Sequence, residues 1–423
     1  MKTVLRLYRE TPLLLNQVLV YCFFVFPIFP IFSSLALIGF SVAVLPHLDK
    51  NLVRGERLRR YLGFISIYLI YIIATTYTPN IERALALLVR LLPIPLIIGL
   101  YLFSDLFKKI EFEKMKLAYV LGIMVTSGIA WLTAIIRAVT KDSWQEIFYF
   151  KLAEGIHAHP VYFSLQILTA MTILLQFGER RKNLLNIIPM VLLGITLFFL
   201  QSKLALVLMI LLFLVALFSK NAGRGSRIGI GVLGITLLAA ILMTLSNTNN
   251  RFPEMFRNVD QINIGTMEED GVQQRKWLWI TAFGQVIEKP FFGYGLGAQR
   301  NIFRWKVEKG LLMSTNIERP YEDAAKEIAK LNLHNQYLQL WYETGLFGLL
   351  AFLFAMGWIL FSIKDVWSTG FGLVLLMFLC FLFTENLLDR QIGIYFYSFV
   401  LMLFYGDSIT DSSVNRRPKI RIV

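Results

Sequence analysis

Long runs of apolar residues recur along the chain, separated by mostly short polar connections. Within each run the apolar residues are continuous rather than alternating with polar ones, which is typical of membrane-crossing helices and not of barrel strands. A run of about 20 residues crosses the hydrocarbon layer of a bilayer. The pattern predicts an all-α polytopic membrane protein with about 12 transmembrane helices. They lie near 12–28, 31–46, 62–78, 84–103, 117–138, 160–177, 184–200, 204–218, 228–246, 336–361, 369–384 and 391–406.

Composition supports this class of protein. The chain has 423 residues, of which 56% are hydrophobic and only 17% are charged. An ordinary soluble domain carries about 25% charged residues, so these values exclude one. Both cysteines, Cys22 and Cys380, lie inside apolar runs. We therefore expect neither a disulfide framework nor a cysteine-based metal site.

The distribution of positive charge indicates how the chain is oriented. The formal net charge is +14, which by itself could suggest a nucleic-acid partner. However, the short connections on the side that includes both ends of the chain hold 23 Lys and Arg residues, against 6 on the other side. Because cytoplasmic connections are enriched in Lys and Arg, we expect both termini in the cytoplasm and no binding of nucleic acid.

One connection is much longer than the others. Residues 247–335 form a polar segment that the alternation of spans places on the outer, periplasmic side. Apolar residues at helical spacing predict helices at 273–289 and 319–331, and the glycine cluster at 293–297 predicts a turn. Long loops of this kind are usually functional. The chain thus divides into residues 1–246 with helices one to nine, the loop 247–335, residues 336–406 with the last three helices, and a cytoplasmic tail 407–423.

His334 is the residue with the clearest chemical potential. It is one of four histidines and lies where the long loop meets the tenth predicted span, at the outer membrane boundary. There it could reach both a lipid-borne and a water-borne substrate. A neutral imidazole is a natural general base near neutral pH. The simpler alternative is an interfacial polar residue that caps the helix together with Asn335.

The residues around His334 resemble a known signature. His334 and Asn335 are followed by nine residues and then by Gly345 and Gly348. This spacing resembles the His-[Asn/Ser/Gln]-x9-Gly-x-x-Gly signature of the bacterial O-antigen ligase family. That family shares its superfamily with O-antigen polymerases and protein O-oligosaccharyltransferases.

Two further stretches agree with the resemblance. Residues 275–297 are similar to the family's Arg-x3-Trp helix and the Pro-x-x-Gly-x-Gly turn that follows it. Residues 198–208 are similar to the outward ends of spans seven and eight, where family members usually carry Ser-Arg. Here Lys203 takes the place of that arginine, so the geometry of anion binding at this position departs from the family pattern.

The resemblance implies an enzyme of the bacterial inner membrane whose site faces the periplasm. It would transfer a glycan from undecaprenyl diphosphate to an acceptor hydroxyl, with lipid A–core as the expected acceptor and the bilayer as a third partner. His334 would take the proton of the acceptor, Arg275 and Lys203 would stabilise the departing diphosphate, and a single displacement would invert the anomeric carbon. No cofactor and no metal ion are expected, because the acidic run 268–270 fits a solvated loop better than a metal site.

Other functions stay open beside this one. The first alternative is an O-antigen or exopolysaccharide polymerase, which joins lipid-linked repeat units. A protein O-oligosaccharyltransferase comes third. From a different class, a transporter of lipid-linked glycans would share the composition. A transporter would need polar and charged residues through the interiors of its spans, whereas here they concentrate at one face and in one loop.

Two other external connections could contribute residues to the same site as His334. His157 and His159 are two residues apart, so on a helix they point in different directions and would not share a metal. We expect His159 to contact substrate. Glu385 and Arg390 lie between the last two spans and are further candidates for substrate binding, although an ion pair between helices is the simpler account. Asn335 is a candidate through its position beside His334.

Overall fold

A computed structural model describes the chain at residues 17–19, 21–22, 33–104, 110–181, 187–218, 272–313, 330–363 and 370–406. Within those ranges nearly all residues are helical, and extended pairing is limited to an isolated bridge between Leu48 and Ser104. The predicted helical fold class is confirmed. The predicted runs 12–28 (for the most part) and 228–246, the loop helix 319–331 and the tail 407–423 fall largely or wholly outside the described residues.

The helices are numbered in chain order. They are α1 Ser33–Val44, α2 Gly55–Phe64, α3 Ser66–Thr75, α4 Ile81–Leu91, α5 Pro93–Leu102, α6 Phe112–Thr140, α7 Tyr149–Glu154, α8 Pro160–Arg181, α9 Ile187–Phe199, α10 Lys203–Phe218, α11 Val272–Val286, α12 Arg304–Met313, α13 Gln336–Ser362, α14 Phe371–Leu382 and α15 Gln391–Gly406.

Three helical stretches in the described part of the chain are long and apolar enough to cross a membrane: Ile81–Leu102, Phe112–Thr140 and Gln336–Ser362. The pair α2–α3 could form a fourth, bent by 61°. α2 begins before the predicted run 62–78, because its first turns are charged and carry no apolar signal. The remaining apolar helices are shorter, so the number of twelve spans stays a prediction.

The long helix α13 connects the two parts of the molecule that matter for the site. It packs against α2, α3 and α14 within the apolar bundle and against α11 of the long loop. The predicted loop helix 273–289 is confirmed by α11, which ends slightly earlier, at Val286. A small core holds α11 and the following turn against the first turns of α13; its buried members are Leu278, Ala282, Val286, Tyr294, Ala298, Phe303, Val307, Leu333 and Tyr342.

Cysteine labelling tests the predicted orientation. Cys22 and Cys380 are partly exposed, so both are first replaced by serine. Arg59 and Lys309 are exposed and lie in a predicted cytoplasmic connection and in the long loop. We expect a membrane-impermeant maleimide to label Lys309→Cys in intact cells and to label Arg59→Cys only after permeabilisation. Labelling of Arg59→Cys in intact cells would reverse the proposed orientation.

Candidate active site

A break in α13 shapes the region next to the site. At Gly345 the backbone leaves the helical conformation, with φ 71° and ψ −178°. A positive φ of this kind is readily adopted only by glycine. A Cβ atom at Gly345 would also lie 2.0 Å from the carbonyl oxygen of Phe291. Gly345 is therefore required both by the break and by the segment that packs into it.

The segment 290–295 fills the break in α13. Four backbone hydrogen bonds join this segment to α13. The donor amides and acceptor carbonyls are Leu346 and Pro290 (2.8 Å), Phe347 and Phe291 (3.3 Å), Tyr294 and Tyr342 (2.9 Å), and Gly295 and Glu343 (2.9 Å). They satisfy amide and carbonyl groups that a broken helix would otherwise leave unpaired. A Cβ at Gly293 would lie 2.6 Å from the Tyr342 carbonyl oxygen. The glycine cluster 293–297 and Gly345, which are far apart in the sequence, thus meet in one contact.

The first turn of α13 is capped by Asn335 and not by His334. The Asn335 side chain accepts a hydrogen bond from the Leu338 amide at 3.0 Å, the usual role of an N-cap residue. His334 precedes the cap in a left-handed backbone conformation, with φ 46°. Such a conformation costs on the order of 1–3 kcal/mol in a residue other than glycine. The side-chain cap of α13 thus comes from Asn335, the residue after His334.

Glu385 joins His334 to Arg275. Its Oε2 lies 3.2 Å from Nδ1 of His334, and its Oε1 accepts a hydrogen bond of 2.6 Å from Nη2 of Arg275. Burial raises the pKa of the Glu385 carboxyl, whereas the hydrogen bond from His334 and the charge of Arg275 lower it, and the net pKa is below the usual value for glutamate. The ionised carboxylate requires a proton on Nδ1, so in a neutral ring Nε2 carries the lone pair.

α11 determines where Arg275 lies. Four residues after Arg275, on the same face of the helix, Trp279 donates its indole N–H to the carbonyl oxygen of Leu333 at 2.7 Å. This bond ties α11 to the residue that precedes His334. The Nε atom of Arg275 is buried and has no hydrogen-bond partner among the described residues. The Arg-x3-Trp pattern of the sequence therefore serves to place a guanidinium beside the His334–Glu385 pair.

A cavity of about 400 Å³ opens beside this pair. Four predicted site residues are in its wall, namely His159, His334, Glu385 and Arg390. Other polar side chains that line it were not predicted to bind substrate: His157, Tyr162, Arg300, Lys330 and Asn332. Single basic residues in a polar loop, such as Arg300 and Lys330, carry no motif that would have indicated this role.

His159 has a defined orientation in the cavity wall. Its Nδ1 accepts a hydrogen bond from the amide of Val161 at 3.3 Å, next to the start of α8. The ring also packs edge-on against Phe150 and Tyr162, with centroids 5.0 and 5.5 Å away. Because Nδ1 is an acceptor, the neutral ring carries its proton on Nε2.

Lys203 does not line the cavity, and Arg390 does so without an ion pair to Glu385. Lys203 begins α10, which packs against α8, but it is not among the residues that line the cavity. The ion pair of Glu385 is with Arg275 and not with Arg390. In the described part of the chain no group of three or more metal-binding side chains occurs. The acidic run 268–270 falls outside that part.

Together, these features define a class of protein: a helical membrane protein with a buried histidine–carboxylate pair beside a cation-lined cavity. Comparison with known proteins shows a family similarity over part of the chain. Residues 188–353 match the model of the O-antigen ligase family. This region contains Lys203, Arg275 and His334 but not Glu385. The predicted resemblance to the O-antigen ligase family is confirmed.

A curated relative supports the same family. The O-antigen ligase of Salmonella typhimurium strain LT2 is 23% identical over 207 residues, which cover 48% of this chain and 47% of that protein. The match thus spans about half the length of each protein. Both comparisons thus show similarity to O-antigen ligases over part of the chain.

Proposed function

We propose that this protein transfers a glycan from undecaprenyl diphosphate to an acceptor hydroxyl, with lipid A–core as the acceptor, at the periplasmic face of the bacterial inner membrane. The observation that carries this proposal is the contact between Glu385 and Nδ1 of His334 beside the cavity. A carboxylate on one ring nitrogen fixes the tautomer, so that the other nitrogen can accept a proton.

The proposed reaction is a single displacement. Nε2 of His334 takes the proton of the acceptor hydroxyl while its oxygen attacks the anomeric carbon of the donor glycan. The bond between that carbon and the diphosphate oxygen breaks, and undecaprenyl diphosphate leaves as an anion. The configuration at the anomeric carbon is thereby inverted. The proton then passes from His334 to water or to the departing phosphate. General-base catalysis of this kind contributes about 10²–10⁴-fold to a rate.

Arg275 and Lys203 are proposed to stabilise the charge that develops on the diphosphate. Charge-assisted hydrogen bonds from cations to phosphate oxygens are among the strong ones, and they act most where water is excluded. Arg275 is held next to the cavity by its 2.6 Å hydrogen bond to Glu385, which lines it, and this position supports a role near the leaving group. Substrate contacts from His159, Asn335 and Arg390 remain part of the proposal. We propose no metal ion and no cofactor.

Two substitutions of Lys203 are expected to differ in transfer activity. Lys203→Arg should keep activity, because arginine also offers a cation to phosphate. Lys203→Ala should lower transfer about tenfold or more, as expected when one charge-assisted contact to the leaving group is removed. Initial rates in reconstituted vesicles measure both. Full turnover by the alanine variant would make Lys203 an ordinary interfacial anchor.

Independence from divalent metal is a further prediction. Transfer should survive EDTA, since the proposed charge stabilisation comes from Arg275 and Lys203 rather than from Mg²⁺. The measurement is the rate in vesicles before chelation, after it, and after adding back Mg²⁺ or Mn²⁺. Loss on chelation with recovery on adding metal would contradict the proposal and direct attention to the acidic residues 268–270.

Reconstitution tests the function as a whole. The purified protein is placed in vesicles with a glycan-loaded undecaprenyl diphosphate and offered either lipid A–core or a second lipid-linked repeat unit. The proposed function requires that lipid A–core is glycosylated. Elongation of the lipid-linked repeat alone would instead identify a polymerase. Movement of the donor across the bilayer without any transfer would favour a transporter.

A further inference from the structure

Cationic side chains outnumber carboxylates in the wall of the cavity beside His334. Arg300, Lys330 and Arg390 all line it, and Glu385 is the one carboxylate among the described lining residues. Glu385 is itself neutralised by its ion pair with Arg275. The cavity therefore presents an excess of positive charge next to the proposed base.

More arginine lies behind this wall, on α4. Arg83 is within electrostatic range of Arg300, and Arg90 donates a hydrogen bond to the backbone carbonyl of Asp389 at 3.2 Å. The side chain of Asp389 is within electrostatic range of three arginines, Arg90, Arg300 and Arg390. In the part of the chain that is described, no carboxylate oxygen is close enough to Arg300 or Arg390 for a direct ion pair. Glu343 is a second carboxylate within electrostatic range of Arg83, so two carboxylates face four arginines in this cluster.

The position of His334 indicates which substrate meets these cations. Under the proposed function the acceptor hydroxyl must lie within hydrogen-bonding distance of the His334 ring, and this ring lines the cavity. Arg275 and Lys203, the residues proposed to hold the donor diphosphate, are not among its lining residues. Arg300, Lys330 and Arg390 thus share the cavity with the base and are distinct from the residues proposed to hold the donor, so they can serve the acceptor.

We propose that Arg300, Lys330 and Arg390 form an anion site for the acceptor and bind a phosphate group carried on a sugar close to the reacting hydroxyl. This inference rests on the proposed function. Arginine binds phosphate through two parallel N–H···O bonds, which fixes orientation as well as charge. A cavity of about 400 Å³ lies within the ~300–1,000 Å³ range of small-molecule sites and accommodates one phosphorylated sugar. The site would thus select acceptors by their phosphate.

Binding measurements test this site without requiring transfer. The full-length protein in nanodiscs is titrated with lipid A–core, with the same material after enzymatic removal of its phosphates, and with undecaprenyl diphosphate. The variants are Arg300→Gln and Arg390→Gln, both exposed side chains. The matched control is Arg304→Gln, an exposed arginine at the start of α12 that does not line the cavity. Thermal melting of each variant checks folding.

We expect both variants to weaken binding of phosphorylated lipid A–core at least tenfold. Binding of the dephosphorylated acceptor and of undecaprenyl diphosphate should stay within twofold, and Arg304→Gln should behave as the parent. Removing the phosphate and removing the arginine should then not be additive, as for two groups in direct contact.

Three results would overturn the inference: no weakening, equal weakening of both acceptors, or weakening of undecaprenyl diphosphate, which would assign these cations to the donor. If the expected binding pattern holds but the parent protein transfers no glycan, the proposed reaction fails and the anion site stands.

Discussion

His334→Asn should abolish glycan transfer, with a loss on the order of 10²–10⁴-fold, while the protein still inserts, folds and binds the lipid-linked donor. In the proposed mechanism, proton abstraction stabilises the transition state only, and donor binding depends on the cations Arg275 and Lys203. The measurement pairs initial rates with donor binding in the same nanodisc preparation. A variant that transfers glycan at the parent rate would refute the role of His334 as base.

The backbone makes asparagine a sharper replacement than alanine. His334 has a φ of 46°, a conformation in which asparagine is enriched and alanine is strained. The helix cap is untouched, because Asn335 provides it. Loss of the cap alone, as in Asn335→Ala, would cost about 1 kcal/mol of stability. A small change in melting temperature with a large loss of rate in His334→Asn therefore separates catalysis from folding.

Much of the fold could be predicted from the pattern of apolar residues. Predicted runs that fall on described residues coincide with helices, because continuous apolar stretches of this length leave few alternatives in a membrane. The observed helix begins earlier than the predicted run where charged residues interrupt the apolar pattern, as at Gly55–Phe64. The break at Gly345 could not be foreseen. Its glycine was visible, but the segment that fills the break lies some 50 residues away in sequence.

The site was predicted only in part, for a related reason. His334 and Arg275 stand in motifs whose spacing is local, so the sequence alone could single out both as candidates. Glu385 was a candidate, but its partners could not be assigned, since they lie 51 and 110 residues away. Arg300 is brought into the cavity wall only by folding. Contacts between distant segments depend on packing, and no local pattern encodes them.

Glu385→Gln should lower the rate of transfer by about 10²-fold or more while donor binding is kept or becomes tighter. A glutamine removes the negative charge that stabilises the imidazolium formed during proton abstraction, and its amide can favour the wrong tautomer of the ring. In a serine protease, the corresponding Asp→Asn change costs about 10⁴-fold. Arg275, freed from its 2.6 Å bond with Glu385, would have an additional N–H for the diphosphate.

Glu385→Asp separates this role from a purely structural ion pair. Aspartate keeps the charge but withdraws the carboxylate by one methylene, so we expect an intermediate rate. Glu385→Gln removes the charged partner of the partly buried Arg275 in either case, so a lower melting temperature is expected and does not separate the two roles. If Glu385 only stabilised the fold, the rate per folded, donor-bound protein would stay at the parent value. The result expected here is that donor binding is kept or improved and that this rate decreases from glutamate to aspartate to glutamine.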